Sequence, residues 1–97
     1  MSKTKLQLEA EQLLETYPDF TTISVQFPSS STNYTYRVAE KINKGDYVVV
    51  DAPSTGFTVV HVVQVHIRAH WDMPYKWISQ KVDHSLYRNI EAAQLKM

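Results

Sequence analysis

The sequence predicts an α+β fold, a small five-stranded curled sheet or β-barrel with a helix at each end of the chain. Three observations carry this. Apolar residues recur at helical spacing before Pro18 and again after Asp83. Between those stretches, from Ile23 through Val82, side chains alternate between two faces as strand residues do. The 97 residues, 43% of them hydrophobic, suffice for a single domain (1–97) with one modest core.

The first element covers residues 4–17. Leu6, Ala10, Leu13, Leu14 and Tyr17 form one apolar stripe, with Glu9, Gln12 and Glu15 away from it. Thr4 followed by Gln7 is a capping box, and Pro18 restricts Tyr17 and ends the helix. A five-stranded region then spans 22–82. Ile23, Val25 and Phe27 make a half-buried strand, the polar run Pro28–Asn33 a turn, and Tyr34, Tyr36 and Val38 the second arm of a hairpin. Gly45 precedes a third strand, Tyr47–Val50, apolar on both faces. Asp51–Gly56 is a dense turn signal before the longest strand, Phe57–Arg68. Phe57, Val59, His61, Val63, Val65 and Ile67 fall on one of its faces; Thr58, Val60, Val62, Gln64, His66 and Arg68 fall on the other. A strand this long with two partly apolar faces bends and serves two sheets, as barrel strands do. Tyr75–Val82 reads as a fifth strand. Asp83 caps a closing helix over 84–96, with Leu86, Ile90, Ala93 and Met97 as its stripe and Tyr87 on its flank.

Composition excludes much chemistry. The chain has no cysteine, which removes disulfides, thiolate metal sites and a cysteine nucleophile. Two glycines cannot build a glycine-rich phosphate cradle, and no G-x-S-x-G, P-loop or H-E-x-x-H occurs. Asp46, Asp51, Asp72 and Asp83 each occupy a turn or cap where aspartate belongs for backbone reasons. The expectation is a protein that is not an enzyme and holds no cofactor. Ten Lys+Arg balance ten Asp+Glu, so affinity does not rest on a globally basic surface. The apolar run Val59–Ile67 is interrupted by His61, Gln64 and His66, so no bilayer span is expected.

The histidines invite a metal reading. Residues two apart on a strand are about 6.6–6.8 Å apart, whereas imidazole nitrogens must come within about 2.1 Å of a zinc ion. His66 and His70 meet that only if the chain kinks near Ala69, with Asp72 or His84 joining. The expectation is therefore no metal, with His66, Arg68 and His70 on a solvated face and His61, among valines, in the core or an interface.

Two binding readings remain. Arg68, His70, Trp71, Met73 and Tyr75 crowd interface-prone residue types into one connection without strand alternation, which points to a protein partner. A single-stranded nucleic acid would need aromatic faces and nearby cations, and Tyr34, Tyr36, Arg37, Lys76 and Trp77 supply them. From His61 onward five cations face three anions, a thin excess for phosphate binding.

A resemblance runs through Ile23–Phe27, Tyr34–Val38, Lys44–Val50 and Val59–Val65. It is to small phage proteins with the pattern V-x-F, Y-x-Y-x-V, G-D-x-V-V-V and V-x-V-V-x-V. Tyr75–Asp83 resembles the K-W-I-V-x-K-V-D stretch that closes such proteins. More distantly, the first pattern is similar to the N-terminal DNA-binding domain of the primosomal replication-restart helicase, a small β-barrel that holds the 3′ end of a DNA strand. That family starts its second strand with an aromatic–acidic–aromatic triplet whose carboxylate helps recognise the terminal nucleotide; Tyr34-Thr35-Tyr36 stands there without the carboxylate. The resulting expectation is a non-catalytic phage-type accessory protein of the host cytoplasm that acts by binding a host or phage protein, as an inhibitor does. The alternative is a single-stranded or 3′-end DNA-binding domain of replication or recombination. A homo-oligomer is left open.

Overall fold

The computed structural model describes residues 3–82. Helix α1 (Lys5–Thr16) begins at the capping box: Thr4 Oγ1 accepts from the Gln7 N–H at 3.1 Å, and the Thr4 N–H donates to Gln7 Oε1 at 3.0 Å. It ends as Tyr17 turns extended ahead of Pro18, its N–H still donating to Leu13 O. Ala10 and Leu13 pack with Phe20 and Ala69 in a small cluster of their own. Leu8 and Leu14 stay exposed.

Strands β1 (Thr21–Gln26), β2 (Asn33–Val38), β3 (Tyr47–Ala52), β4 (Gly56–Val65) and β5 (Gln80–Lys81) form one antiparallel sheet, ordered β2-β1-β4-β3-β5. The β1–β2 hairpin pairs Ile23 with Tyr36 and Val25 with Tyr34. Gly56, at φ +70°, turns β3 into β4, a left-handed conformation that glycine adopts without a Cβ penalty. Ile23, Val25, Val38, Val48, Val50, Val60 and Val62 are almost wholly buried in the main core, with Tyr36 and Ile42 beside them. Burying each such side chain contributes about 1.5–3 kcal/mol.

Strand β4 departs from the expected two-face alternation. Ser24 pairs with Gln64 but Val25 pairs with Val62, so Val63 is bulged. Val60 and Val62 face the core before the bulge and Val65 packs on it afterwards, while Phe57 and His61 lie exposed. Of the two partly apolar faces, the one that carries Val60 and Val62 is thus the inner one up to the bulge. His61 is a surface residue against the Tyr47 ring (centroids 5.3 Å apart), not a core histidine. The strand also stops at Val65 rather than Arg68.

The expected fifth strand, Tyr75–Val82, shrinks to Gln80–Lys81 because the segment changes partner. The Arg37 N–H donates to Lys76 O and the Ile78 N–H to Arg37 O, on the β2 edge; the Ser79 and Val82 N–H groups then donate to Val49 O and Tyr47 O of β3. One residue pair, Arg37 and Trp77, bridges the gap to β2, so the sheet is curled and open, not a closed barrel. The helix expected over 84–96, with its cap at Asp83, lies outside the described residues.

Candidate nucleic-acid interface

The crossing at residues 76–78 lays the Met73–Lys76 stretch alongside the start of β2. Tyr34, Thr35 and Tyr36 form one wall of a cleft of about 310 Å³, and Met73, Pro74, Tyr75 and Lys76 form the other. That is the lower end of the range for small ligand pockets. The walls are held from behind. Tyr34 packs edge-on against Phe27 (5.3 Å, 85°) yet is 46% exposed. The Tyr75 hydroxyl donates to Asp72 Oδ1 at 3.0 Å. Desolvation first, then that hydrogen bond and the Asp72 charge, raise the Tyr75 phenol above its ordinary range. Tyr36 reaches into the core, and burial, followed by the charges of Tyr34 and Asp51, raises its phenol too. Lys76 is exposed and, among the described residues, makes no ion pair.

The two sets of residues expected to bind are redistributed. Tyr34, Tyr36 and Lys76 line the cleft, as do Met73 and Tyr75, which the sequence assigned to a protein partner. Tyr36 is buried, so it closes the floor more than it offers a face. Arg37 does not reach the cleft. Its guanidinium, 6% exposed, is tied to Glu9 of α1 at 2.6 Å, and its Nε has no partner among the described residues. Trp77 packs against Phe20 (5.6 Å) and Tyr17 (6.4 Å), anchoring the end of α1. Arg68 and Trp71 line a separate apolar hollow of about 390 Å³ with Ala10, Leu14, Phe20 and Ala69.

His70 stacks on His66 instead of standing on a strand face with it, ring centroids 3.8 Å apart and nearly parallel. His66 is half-buried and bonded through both ring nitrogens, to Thr22 Oγ1 and Ser24 Oγ, so the expected solvated face is not its setting. No three or more His, Asp or Glu among the described residues converge to hold a metal ion. Sequence reasoning missed Thr35, Pro74 and the Thr22–Ser24–His66 network. Thr22 and Ser24, alternating on one face of β1, were the available signal, but only long-range pairing shows what they meet.

No helix among the described residues is long and apolar enough to cross a membrane. No curated protein and no solved structure matches the chain. Residues 20–97 match the family described as "Putative phage 3′ DNA-binding domain". The match takes in all five strands and both walls of the cleft and leaves out α1. It favours the DNA alternative over the protein partner that the sequence put first, and the chain belongs to that family of phage DNA-binding domains.

Proposed function

We propose that the chain binds the 3′ end of a single DNA strand, without turnover, in the cleft between Tyr34–Tyr36 and Met73–Lys76. The family match over residues 20–97 carries this reading, since both walls lie inside it. The chemistry of the cleft supports it. Tyr34 offers an exposed ring on which a terminal base stacks, a contact of about 1–3 kcal/mol. Lys76 supplies one cation for a phosphate, and the Thr35 hydroxyl is a neutral hydrogen-bonding group where the helicase-like triplet would carry a carboxylate. A cleft of about 310 Å³ suits a strand end better than a duplex. The test compares a short single strand bearing a free 3′ end with a circular single strand and with one whose 3′ end carries a bulky cap. The free end is expected to bind tighter than both; equal binding to the circle removes end recognition.

A protein partner remains a second reading on one observation, the hollow between α1 and the Ile67–Trp71 stretch. Its walls expose Leu14, Ile67 and Trp71 around a base of Ala10, Phe20 and Ala69. Trp71→Ala is expected to weaken capture of such a host or phage protein while leaving oligonucleotide binding intact. Loss of oligonucleotide binding alone would count against this reading.

A further inference from the structure

The chain leaves β4 and reaches the cleft wall through a connection that packs Ala69 under α1 and is hydrogen-bonded to β1 at Thr21 and Thr22. The His66 N–H donates to Thr22 O at 3.1 Å, and Thr21 Oγ1 donates to His66 O at 2.9 Å. Further on, the His70 N–H donates to Thr22 Oγ1 at 2.9 Å. Thr22 is wholly buried, so its hydroxyl hydrogen needs an acceptor, and His66 Nδ1 lies 2.5 Å away. The hydroxyl thus accepts from His70 and donates to Nδ1. Satisfying every group assigns the ring proton to Nε2, which donates to Ser24 Oγ at 3.1 Å.

We infer that neutral His66 is a positioning residue for the cleft: through the Thr22 hydroxyl it fixes the His70 backbone, and with it the near end of the Met73–Lys76 wall, whose far end Arg37 holds through Lys76 O, and a proton on Nδ1 frees that near end. That the wall serves DNA rests on the function proposed above; the latch itself does not.

The geometry has a definite sign. A hydrogen on Nδ1 confronts the Thr22 hydroxyl hydrogen, which must turn either to the remaining tetrahedral position, without an acceptor in a dry site, or into the position that accepts from the His70 N–H, breaking that bond. Among the described residues the titratable group set against His66 is His70, from the same connection; β1 contributes only the uncharged Thr22 and Ser24 hydroxyls. Burial first, and the His70 charge second, hold the His66 imidazole below its ordinary value. The unfolded chain takes up this proton near pH 6.5, the folded chain at lower pH. The latch therefore contributes fully above about pH 6.5 and is lost as pH falls through the folded value. Histidines acting merely as surface charge do the opposite, since added positive charge at low pH tightens DNA binding.

Three measurements on the full chain, from neutrality to about pH 5, test this. They are nitrogen NMR of the His66 ring, hydrogen exchange of the His70 amide, and affinity for a 3′-ended oligonucleotide. Expected are the Nε2–H tautomer at neutrality and His70 protection that falls with the His66 titration. One pH unit below the His66 midpoint about a tenth of the molecules keep the latch, so affinity is expected to drop about tenfold. His66→Asn, whose Oδ1 accepts from Thr22 but does not titrate, is expected to keep His70 protected in acid and to flatten the affinity profile. Thr22→Val is expected to lose His70 protection already at neutrality, with exchange of the Val48 and Val62 amides showing that the sheet is intact. An Nδ1–H tautomer at neutrality, or His70 protection unchanged through the His66 titration, overturns the proposal. So does affinity that rises into acid. Should the latch behave as described while no oligonucleotide binds at any pH, the DNA reading falls and the positioning role stands.

Discussion

Removing Lys76 and Tyr34 separately asks which force holds a strand end in the cleft. Lys76 is the cation among the described residues lining it. Arg37, though adjacent in β2, is committed to Glu9, and Lys81 sits 3.7 Å from Asp46. One phosphate contact gives a single-strand salt slope of about −0.7, so affinity falls only about 2.6-fold between about 50 and about 200 mM salt. Lys76→Gln is expected to make the profile nearly flat. Stacking outweighs this. Losing about 1–3 kcal/mol of base contact in Tyr34→Ala weakens binding about 5- to 150-fold at every salt concentration, while Tyr34→Phe, which keeps the ring, is expected to bind as the parent does. Fluorescence anisotropy of a labelled 3′-ended oligonucleotide across a salt series reads both quantities. A slope of about −3 or steeper in Lys76→Gln, or unaltered affinity in Tyr34→Ala, would refute the assignment of binding to this cleft.

Two further predictions concern the frame around the site. Glu9→Ala strands a nearly buried guanidinium, and because Glu9 itself is 43% exposed the cost is about 2 kcal/mol, below the 3–5 of a fully buried pair. That lowers the melting temperature by about 8–16 °C. Glu11→Ala breaks the exposed Lys3–Glu11 pair and costs no more than about 1 kcal/mol; equal effects in the two variants would show that the Arg37 contact is solvated. Gly56→Ala meets no atom within 4 Å of the added Cβ, so its cost of about 1–2 kcal/mol is backbone strain alone. Gly56→Asn should recover part of it, and urea midpoints identical to the parent's for both would contradict the left-handed turn.

The parts of this fold that could be read from sequence are those decided within a few residues. Thr4 and Gln7 set the start of α1 and Pro18 its end; alternation in Ile23–Phe27 and Tyr34–Val38 sets the first hairpin and its inner face. Where a remote partner decides, local pattern misled. Val59–Val65 alternates plausibly in either phase, and only the offset against Ser24 and Val25 selects the one that buries Val60 and Val62. Tyr75–Val82 has strand composition throughout, but an open gap in the sheet divides it between two edges. The same limit applies to the cleft. Tyr34, Tyr36 and Lys76 are recognisable as a chemistry, but composition groups Arg37 and Trp77 with them equally, and only the tertiary contacts turn Arg37 to Glu9 and Trp77 to Phe20.

The bulged Val63 imposes a rule of parity on the rest of its strand. Each later residue takes its side of the sheet from that one unpaired position: were Val63 to take a place in the ladder opposite Ser24, Val65 and His66 would swap destinations. An imidazole would then point at the valine core and a valine at the Thr22 and Ser24 hydroxyls. Keeping Val63 out of the ladder is thereby more tightly constrained than the identity of any one exposed side chain in this stretch.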